Sequence, residues 1–425
     1  MSRAASFSSV HSPATPGSAL ATAEVGMAVL AIAWTAEALV RLPGGPVFTA
    51  LIYGFYGLRF LGRTGLMLDL ARRHWPMLAF PFLALISTAW SLVPHLSAVA
   101  GLQAVFTVLL GLYLGRVFGL VGLAGLLALA LGASMMVSAL NLFDLWSPAY
   151  SWEGGFMGVY TNKNGLGQRG VMFVLTALLF LATARRPVVW SMITLAALGL
   201  LALTLSVTAY LVITAILAAY ALRALVLGGP GVRVLTVILA GTSLAAAAVV
   251  VWVLDLTPVA AFLDAFGKSA TLTGRTQLWQ IAWDVARDYP LLGTGYMAYW
   301  AAPEYAQEAR AIAGLYGATV ASFHNFILEA LVMLGPLGVA AMALFLGHLA
   351  FNLGRLPSGP LAFWAGTMAL TLVALALLGS ALYRPHEISL LLCAALAAAA
   401  ARPSGGLPDP QDVPASEATR RPEPG

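Results

Sequence analysis

The feature that most constrains this chain is a repeated apolar run of eighteen or more residues with almost no charge in it. Each run is long enough to cross roughly 30 Å of hydrocarbon as a helix. Inside hydrocarbon the chain must satisfy its own backbone N–H and C=O groups, so only helices and closed barrels span it. Barrel strands alternate apolar and polar residues, whereas these runs are apolar throughout, which excludes a barrel. Composition agrees: 60% of the residues are hydrophobic and 9% are charged, against about 25% charged in soluble domains. The expected fold is an all-α polytopic membrane protein.

Twelve apolar segments fall near residues 22–40, 45–61, 76–93, 97–115, 119–142, 165–183, 187–204, 206–223, 233–254, 323–350, 360–380 and 387–401. The seventh and eighth are nearly continuous and are divided around Leu205-Ser206. Orientation follows from the placement of Lys and Arg, which concentrate on the cytoplasmic side. With twelve helices and the N-terminus inside, the cytoplasmic ends receive Arg59, Arg63, Arg72, Arg73, Arg116, Arg185, Arg186, Arg223, Arg233, Arg355 and Arg402. The outer ends receive only Arg41, Lys163, Arg169 and Arg384 in the short connections. Merging the seventh and eighth segments would put Arg185-Arg186 and Arg223 on opposite sides and blur the bias.

This layout divides the chain into a Ser/Ala/Pro-rich tail (1–20), a transmembrane domain (21–401) and a second tail (402–425) rich in Pro, Asp and Glu. Both tails are expected to be disordered and cytoplasmic. The first is not expected to be a secretory signal, because the apolar run behind it is long and lacks a clear cleavage site. Two longer loops, 143–164 and 255–322, are expected outside. The larger carries an amphipathic helix, with Leu278, Trp279, Ala282, Trp283 and Ala286 on one face and Gln277, Gln280, Asp284, Arg287 and Asp288 on the other. Pro290 should end it. The chain shows no internal repeat. Its one cysteine, Cys393, rules out an intrachain disulfide and a cysteine-based metal cluster. Six histidines without ligand spacing give no reason to expect a zinc site.

Where polar groups are this scarce, their concentration between residues 255 and 338 asks for an explanation. His324-Asn325 stands where the large loop enters the tenth segment. Glu329, four residues after Asn325, shares its helix face one turn deeper, and an ionisable residue at that depth usually faces a cavity or a partner. The plain reading makes His324 a helix cap and pairs Glu329 with an arginine; the functional one makes His324 a general base beside an acidic, lipid-linked substrate. Arg275 follows Gly274 at a helix start, which suits a phosphate or diphosphate, although a solvated loop arginine is commoner. Asn162-Lys163-Asn164 can bind sugar hydroxyls or phosphate, or can be turn and cap residues. Arg169 would lie just below the outer surface, within reach of a diphosphate head group. Arg384, with Tyr383 and His386, could complete a cationic rim. Glu24 and Glu37 are candidates for internal pairing. A transporter would place broken helices in corresponding halves; here the polar groups gather on one side, which favours an enzyme over a flippase.

These blocks resemble the O-antigen ligase/polymerase (Wzy/WaaL) superfamily. The resemblance is carried by Leu272-Thr-Gly-Arg275-Thr-Gln-Leu-Trp279, Tyr289-Pro-Leu-Leu-Gly-Thr-Gly295, His324-Asn325, Leu334-Gly with Gly338, Trp90-Ser91 and Asn162-Lys-Asn164-Gly-Leu-Gly167. It implies a bacterial inner-membrane glycosyltransferase, independent of metal and of any cofactor, that uses an undecaprenyl-diphosphate-linked oligosaccharide donor in the bilayer. By matched position it carries the role of base to His324 and that of diphosphate ligand to Arg275. Asn325, Glu329, Lys163 and Asn164 are expected in support. One departure stands out: where many members have Ser-x-Ser-Arg before the large loop, this chain has Ser206-Val-Thr-Ala209, so Arg169 or Arg384 must supply that charge or the branch works differently. The blocks look closest to the exopolysaccharide polymerase (ExoQ-like) branch, which ranks a polymerase above a ligase acting on lipid A-core. The flippase and chain-length regulator of the same pathway are the partners this would bring, and no nucleic acid is expected.

Overall fold

The structure, a computed structural model, describes residues 19–145, 147–151, 154–183, 186–227, 229, 275–315, 322–379 and 381–401. Among these, helices dominate: α1 (Ala19–Thr35), α2 (Gly45–Gly62), α3 (Thr64–Arg73), α4 (Trp75–Ile86), α5 (Pro94–Leu140), α6 (Lys163–Thr183), α7 (Pro187–Leu203), α8 (Val207–Leu227), α9 (Arg275–Asp288), α10 (Pro303–Leu315), α11 (Phe326–Gly354), α12 (Pro360–Leu377) and α13 (Ile388–Ala400). The described residues form no strand beyond one isolated bridge between Tyr150 and Phe156. Five helices, α5, α6, α8, α11 and α12, are long and apolar enough to cross a membrane; the protein is a multi-pass membrane protein.

The helices follow the expected segments closely. Prolines in the first turn open α2, α4, α5, α7 and α12, where the missing N–H is no loss. The fourth and fifth segments meet in α5 at Gly119, whose backbone (φ 63°, ψ −176°) divides it into two arms. The division at Leu205-Ser206 is real: Leu205 has φ 51°, and Thr204 and Ser206 separate α7 from α8. The ninth segment, 233–254, and residues 255–274 of the large loop lie outside the described residues. The amphipathic helix begins at Arg275 and stops two residues before Pro290. Its Leu278 and Ala282 are buried, but Trp283 is exposed at the edge of the stripe rather than inside it. Helices α3 and α10 are additional to the expected elements.

The centre of the bundle is α13, every residue of which is buried. Its alanines let neighbours come close, and α5 answers with Gly111 and Gly115 on one face. A Cβ at Gly111 would lie 2.3 Å from the Leu391 carbonyl oxygen, and one at Gly115 would lie 2.0 Å from that of Ala395. Small residues four apart are how membrane helices bring their backbones together when lipid offers no hydrophobic drive for it.

A second packing device ties three distant sequence blocks together. Helix α11 breaks at Gly335 (φ 64°, ψ −164°), next to Pro336. Proline has no N–H and cannot bond the carbonyl four residues back, which frees the Val332 oxygen. Thr294 fills the gap: its N–H and its hydroxyl both donate to Val332 O, at 2.9 and 3.0 Å, and the Gly295 N–H donates to Met333 O at 2.9 Å. The approach leaves no room for side chains. A Cβ on Gly293 would lie 2.5 Å from Met333 C, and one on Gly335 would lie 2.3 Å from Leu291 O. From the other side, the Trp90 indole donates to Leu292 O at 2.9 Å, the Leu92 N–H to Thr294 O at 3.0 Å, and the Ser97 hydroxyl to Tyr296 O at 2.7 Å.

At the end of the bundle away from this loop, Glu24 pairs with Arg59 at 2.7 Å and also accepts from the Tyr113 hydroxyl, so the expected internal pairing of Glu24 is present. His74 and His348 bond ring to ring at 2.9 Å there.

Filling the α5–α13 contact should separate these helices. Gly115→Val is expected to destabilise by about 1–3 kcal/mol through overpacking, whereas Gly125→Val, at a position open within 4 Å, should be near neutral; thermal unfolding of the two purified variants in detergent checks this.

Candidate functional site

The start of α11, the loop before it and the α12–α13 connection meet around Ser322, Glu329 and Tyr383, while Arg169 of α6 meets the connection after α1. Asn325, not His324, is the cap of α11: its side-chain oxygen accepts from Ile327 N–H at 3.0 Å and Leu328 N–H at 3.3 Å, as a short polar residue at that position does. His324, half-buried, is left ahead of the helix with a left-handed backbone (φ 54°).

Glu329 is fully buried, and its partners are neutral donors rather than an arginine in contact. Its Oε1 accepts from the Ser322 hydroxyl at 2.8 Å and the Phe323 N–H at 2.7 Å, and its Oε2 accepts from the Trp300 indole at 3.2 Å. The carboxylate thus folds the chain ahead of α11 back over its own first turn. Arg384 faces this group from the α12–α13 connection, with its guanidinium 5.7 Å from the centre of the Tyr383 ring. Burial alone would lower the Arg384 pKa, but the Tyr383 phenol and the carboxylates of Glu329 and Glu37 together hold it above its usual value. The Tyr383 hydroxyl donates to Ser322 Oγ at 3.0 Å, and the Tyr383 carbonyl accepts from the Tyr296 hydroxyl at 2.6 Å.

Arg169 is buried in α6 and is also compensated. It donates to the Ala36 carbonyl at 3.0 Å and pairs with Glu37 at 3.3 Å, so the expected pairing of Glu37 is present too. Glu37 is therefore shared between Arg169 in contact and Arg384 at longer range. Arg275 stands one turn ahead of Trp279, on the face through which α9 packs on α11. The Trp279 indole donates to Phe323 O at 2.9 Å, beside His324. Burial lowers the Arg275 pKa, and no carboxylate among the described residues offsets it. A guanidinium stays charged regardless, so this one would gain most from an anion.

Lys163 and Asn164 stand apart from this group. Asn162 caps α6 by accepting from Gly165 N–H at 2.8 Å, and Asn164 accepts from the Ser206 hydroxyl at 2.8 Å, tying the start of α6 to that of α8. Lys163 is buried against Gly155. The same contact accounts for Ala209: a Cβ on Gly167 would lie 2.9 Å from Ala209 Cβ, so the two helices leave no space for an arginine. Arg169, two residues beyond Gly167, points about 200° away around the helix and brings its charge from the α1 side.

Five residues of this region, Glu37, Met297, His324, Leu382 and His386, hold left-handed backbones without being glycine. Such strain persists only where the surroundings impose it and gathers at functional sites. Sequence reading missed Ser322, Trp300 and Tyr296, because serines and aromatics at a membrane surface carry no pattern of their own.

Residues 164–343 match the family described as O-Antigen ligase. The matched segment contains Asn164, Arg169, Arg275, His324, Asn325 and Glu329; Lys163 lies one residue before it, and Arg384 lies well beyond its end. A curated relative from Rhizobium meliloti (strain 1021), described as "Exopolysaccharide production protein ExoQ", is 31% identical over 288 residues, covering 63% of this chain and 62% of the relative. The expected resemblance to the ExoQ-like branch agrees with it.

His386, in the same connection as Arg384, is set between the Tyr53 hydroxyl at 3.2 Å and Thr107 Oγ1 at 3.4 Å, against the Trp34 ring. Burial pushes its pKa down to about 4. The unfolded chain binds that proton near pH 6.5, so the neutral His386 contributes stability above pH 6.5 that is lost as pH falls toward 4. Unfolding midpoints of wild type and His386→Gln between pH 7.5 and 4.5 should converge as the pH drops; a constant difference would contradict this.

Proposed function

We propose that the protein polymerises lipid-linked oligosaccharide repeat units, drawing on an undecaprenyl-diphosphate-linked donor at the outer face of a bacterial inner membrane. A hydroxyl on the non-reducing sugar of one lipid-linked unit attacks the anomeric carbon of the growing chain. The bond from that carbon to the diphosphate oxygen breaks, and the hydroxyl proton passes to His324. Arg275 and Arg384, with Arg169 behind them, offset charge developing on the leaving diphosphate. Guanidinium groups suit this because their fork matches phosphate oxygens, and donors aimed at developing charge are worth most where water is excluded. The observation that supports the reading is that Arg275, without a carboxylate partner among the described residues, stands one turn before Trp279, whose indole bonds the Phe323 carbonyl next to His324, while Arg384 lies in the field of Glu329.

Twelve spans, cytoplasmic tails and an outward-facing site complete the proposal, supported by the arginine bias along the chain. The printed name of the curated relative supports a role in exopolysaccharide production, to which the polymerase reading belongs. The description of the family favours the second reading, a ligase passing finished glycan to lipid A-core.

Purified protein given lipid-linked repeat units alone should yield a ladder of longer products. Product formed only when lipid A-core is added would make it a ligase, and movement of the lipid across a bilayer without transfer would make it a flippase. His324→Ala should lower the rate about 10²–10⁴-fold, as expected for a lost general base. Arg275→Ala should lower it about 10²–10³-fold, as for a lost donor to the transition state. Both should remain in the membrane at normal levels, and normal product from either would overturn its assignment.

A further inference from the structure

The Ser322 hydroxyl is fully buried and uses its whole bonding capacity. A serine hydroxyl has one proton to give and two lone pairs to receive with. The proton goes to Glu329 Oε1 at 2.8 Å, while the oxygen accepts the His324 backbone N–H at 2.9 Å and the Tyr383 phenol at 3.0 Å. The chain leading into α11, α11 itself and the α12–α13 connection therefore meet at one atom. Burial, with Glu329 nearby, keeps the Tyr383 phenol protonated and able to donate. His324, in its left-handed conformation, is joined to this atom by its backbone N–H, and Arg384 is the next residue after Tyr383, which is joined to it by its hydroxyl.

We propose that Ser322, tethered by Tyr383, is a positioning residue that sets where His324 stands relative to Arg384. It rests on the reading of His324 as the base and Arg384 as a diphosphate ligand. Ser322 and Tyr383 touch neither substrate nor the reacting atoms. They fix the separation between the group that takes the proton and the group that holds the leaving diphosphate. The Arg384 connection has other anchors, since Tyr296 holds the Tyr383 carbonyl and Glu387 accepts from Leu382 N–H at 3.1 Å. Losing the Ser322 link should therefore spare donor binding and misplace the histidine.

Steady-state kinetics on purified Ser322→Ala, Ser322→Thr and Tyr383→Phe test this. Ser322→Ala is expected to lower kcat about 10- to 100-fold, the scale of an ångström-sized misplacement, with KM for the lipid-linked donor moved less than about threefold. Ser322→Thr, which keeps the hydroxyl, should recover most of kcat. Tyr383→Phe keeps the ring and should lose kcat in the same sense, and the Ser322→Ala/Tyr383→Phe pair should be no slower than Ser322→Ala alone. Unchanged kcat in both single variants, or a loss carried by KM, overturns the proposal; should Ser322→Ala not fold, Tyr383→Phe decides. His324→Ala run alongside separates the two levels. If it is fully active, the reading of His324 as base has failed; if it is inactive while Ser322→Ala keeps its kcat, only the positioning role has failed.

Discussion

The carbonyls of Val332 and Met333, released where α11 breaks at Gly335-Pro336, are the constraint around which the polar end is built. Unsatisfied carbonyls inside a membrane bundle are costly, and Thr294 and Gly295 satisfy them by pressing a glycine-flanked loop against the helix. That loop is clasped from behind by Trp90, Leu92 and Ser97. The Gly293-Thr-Gly295 run has its Thr294 and Gly295 N–H groups committed to the helix. Its service to the site is indirect: it places Tyr296, whose hydroxyl holds the connection carrying Tyr383 and Arg384.

Charge is distributed unevenly across the site. Arg169 is neutralised in contact by Glu37, and Arg384 lies within the field of Glu37 and Glu329. Arg275 alone of the three meets no carboxylate among the described residues. Under the proposed reading, an anion would meet Arg275 first, with Arg169 and Arg384 acting from behind. The two carboxylates keep the other arginines ordered while no ligand is bound, which is what preorganisation requires. Glu329 does so through neutral donors, holding the chain around His324 by Ser322 and Phe323 rather than by an ion pair.

Much was legible from the sequence alone. Apolar runs between arginine-bearing ends located the helices, because hydrocarbon leaves a spanning backbone no alternative. The narrow separation at Leu205-Ser206 and the end of the amphipathic helix before Pro290 could be placed by charge bias and proline chemistry. His324, Glu329, Arg275 and Arg384 stood out because a charge in such a chain is rare. The internal pairing of Glu24 and Glu37 was visible for the same reason.

What only the tertiary structure decided is which of these groups meet. Sequence order placed Lys163 and Asn164 beside Arg169 as one cluster, yet a helix turns about 100° per residue, so Asn164 faces α8 while Arg169 faces α1. Ala209 read as a missing arginine, and close packing against Gly167 explains its size. Ser322, 61 residues from Tyr383 and seven from Glu329, carries no sequence signal because its role lies in three hydrogen bonds between segments brought together by folding. The sequence by itself determined that this chain is a helical membrane protein with a concentration of polar residues in the stretch that leads into α11. The fold determined the partners of each charge, since partnership depends on the helix face and on approach distance, neither of which linear order contains.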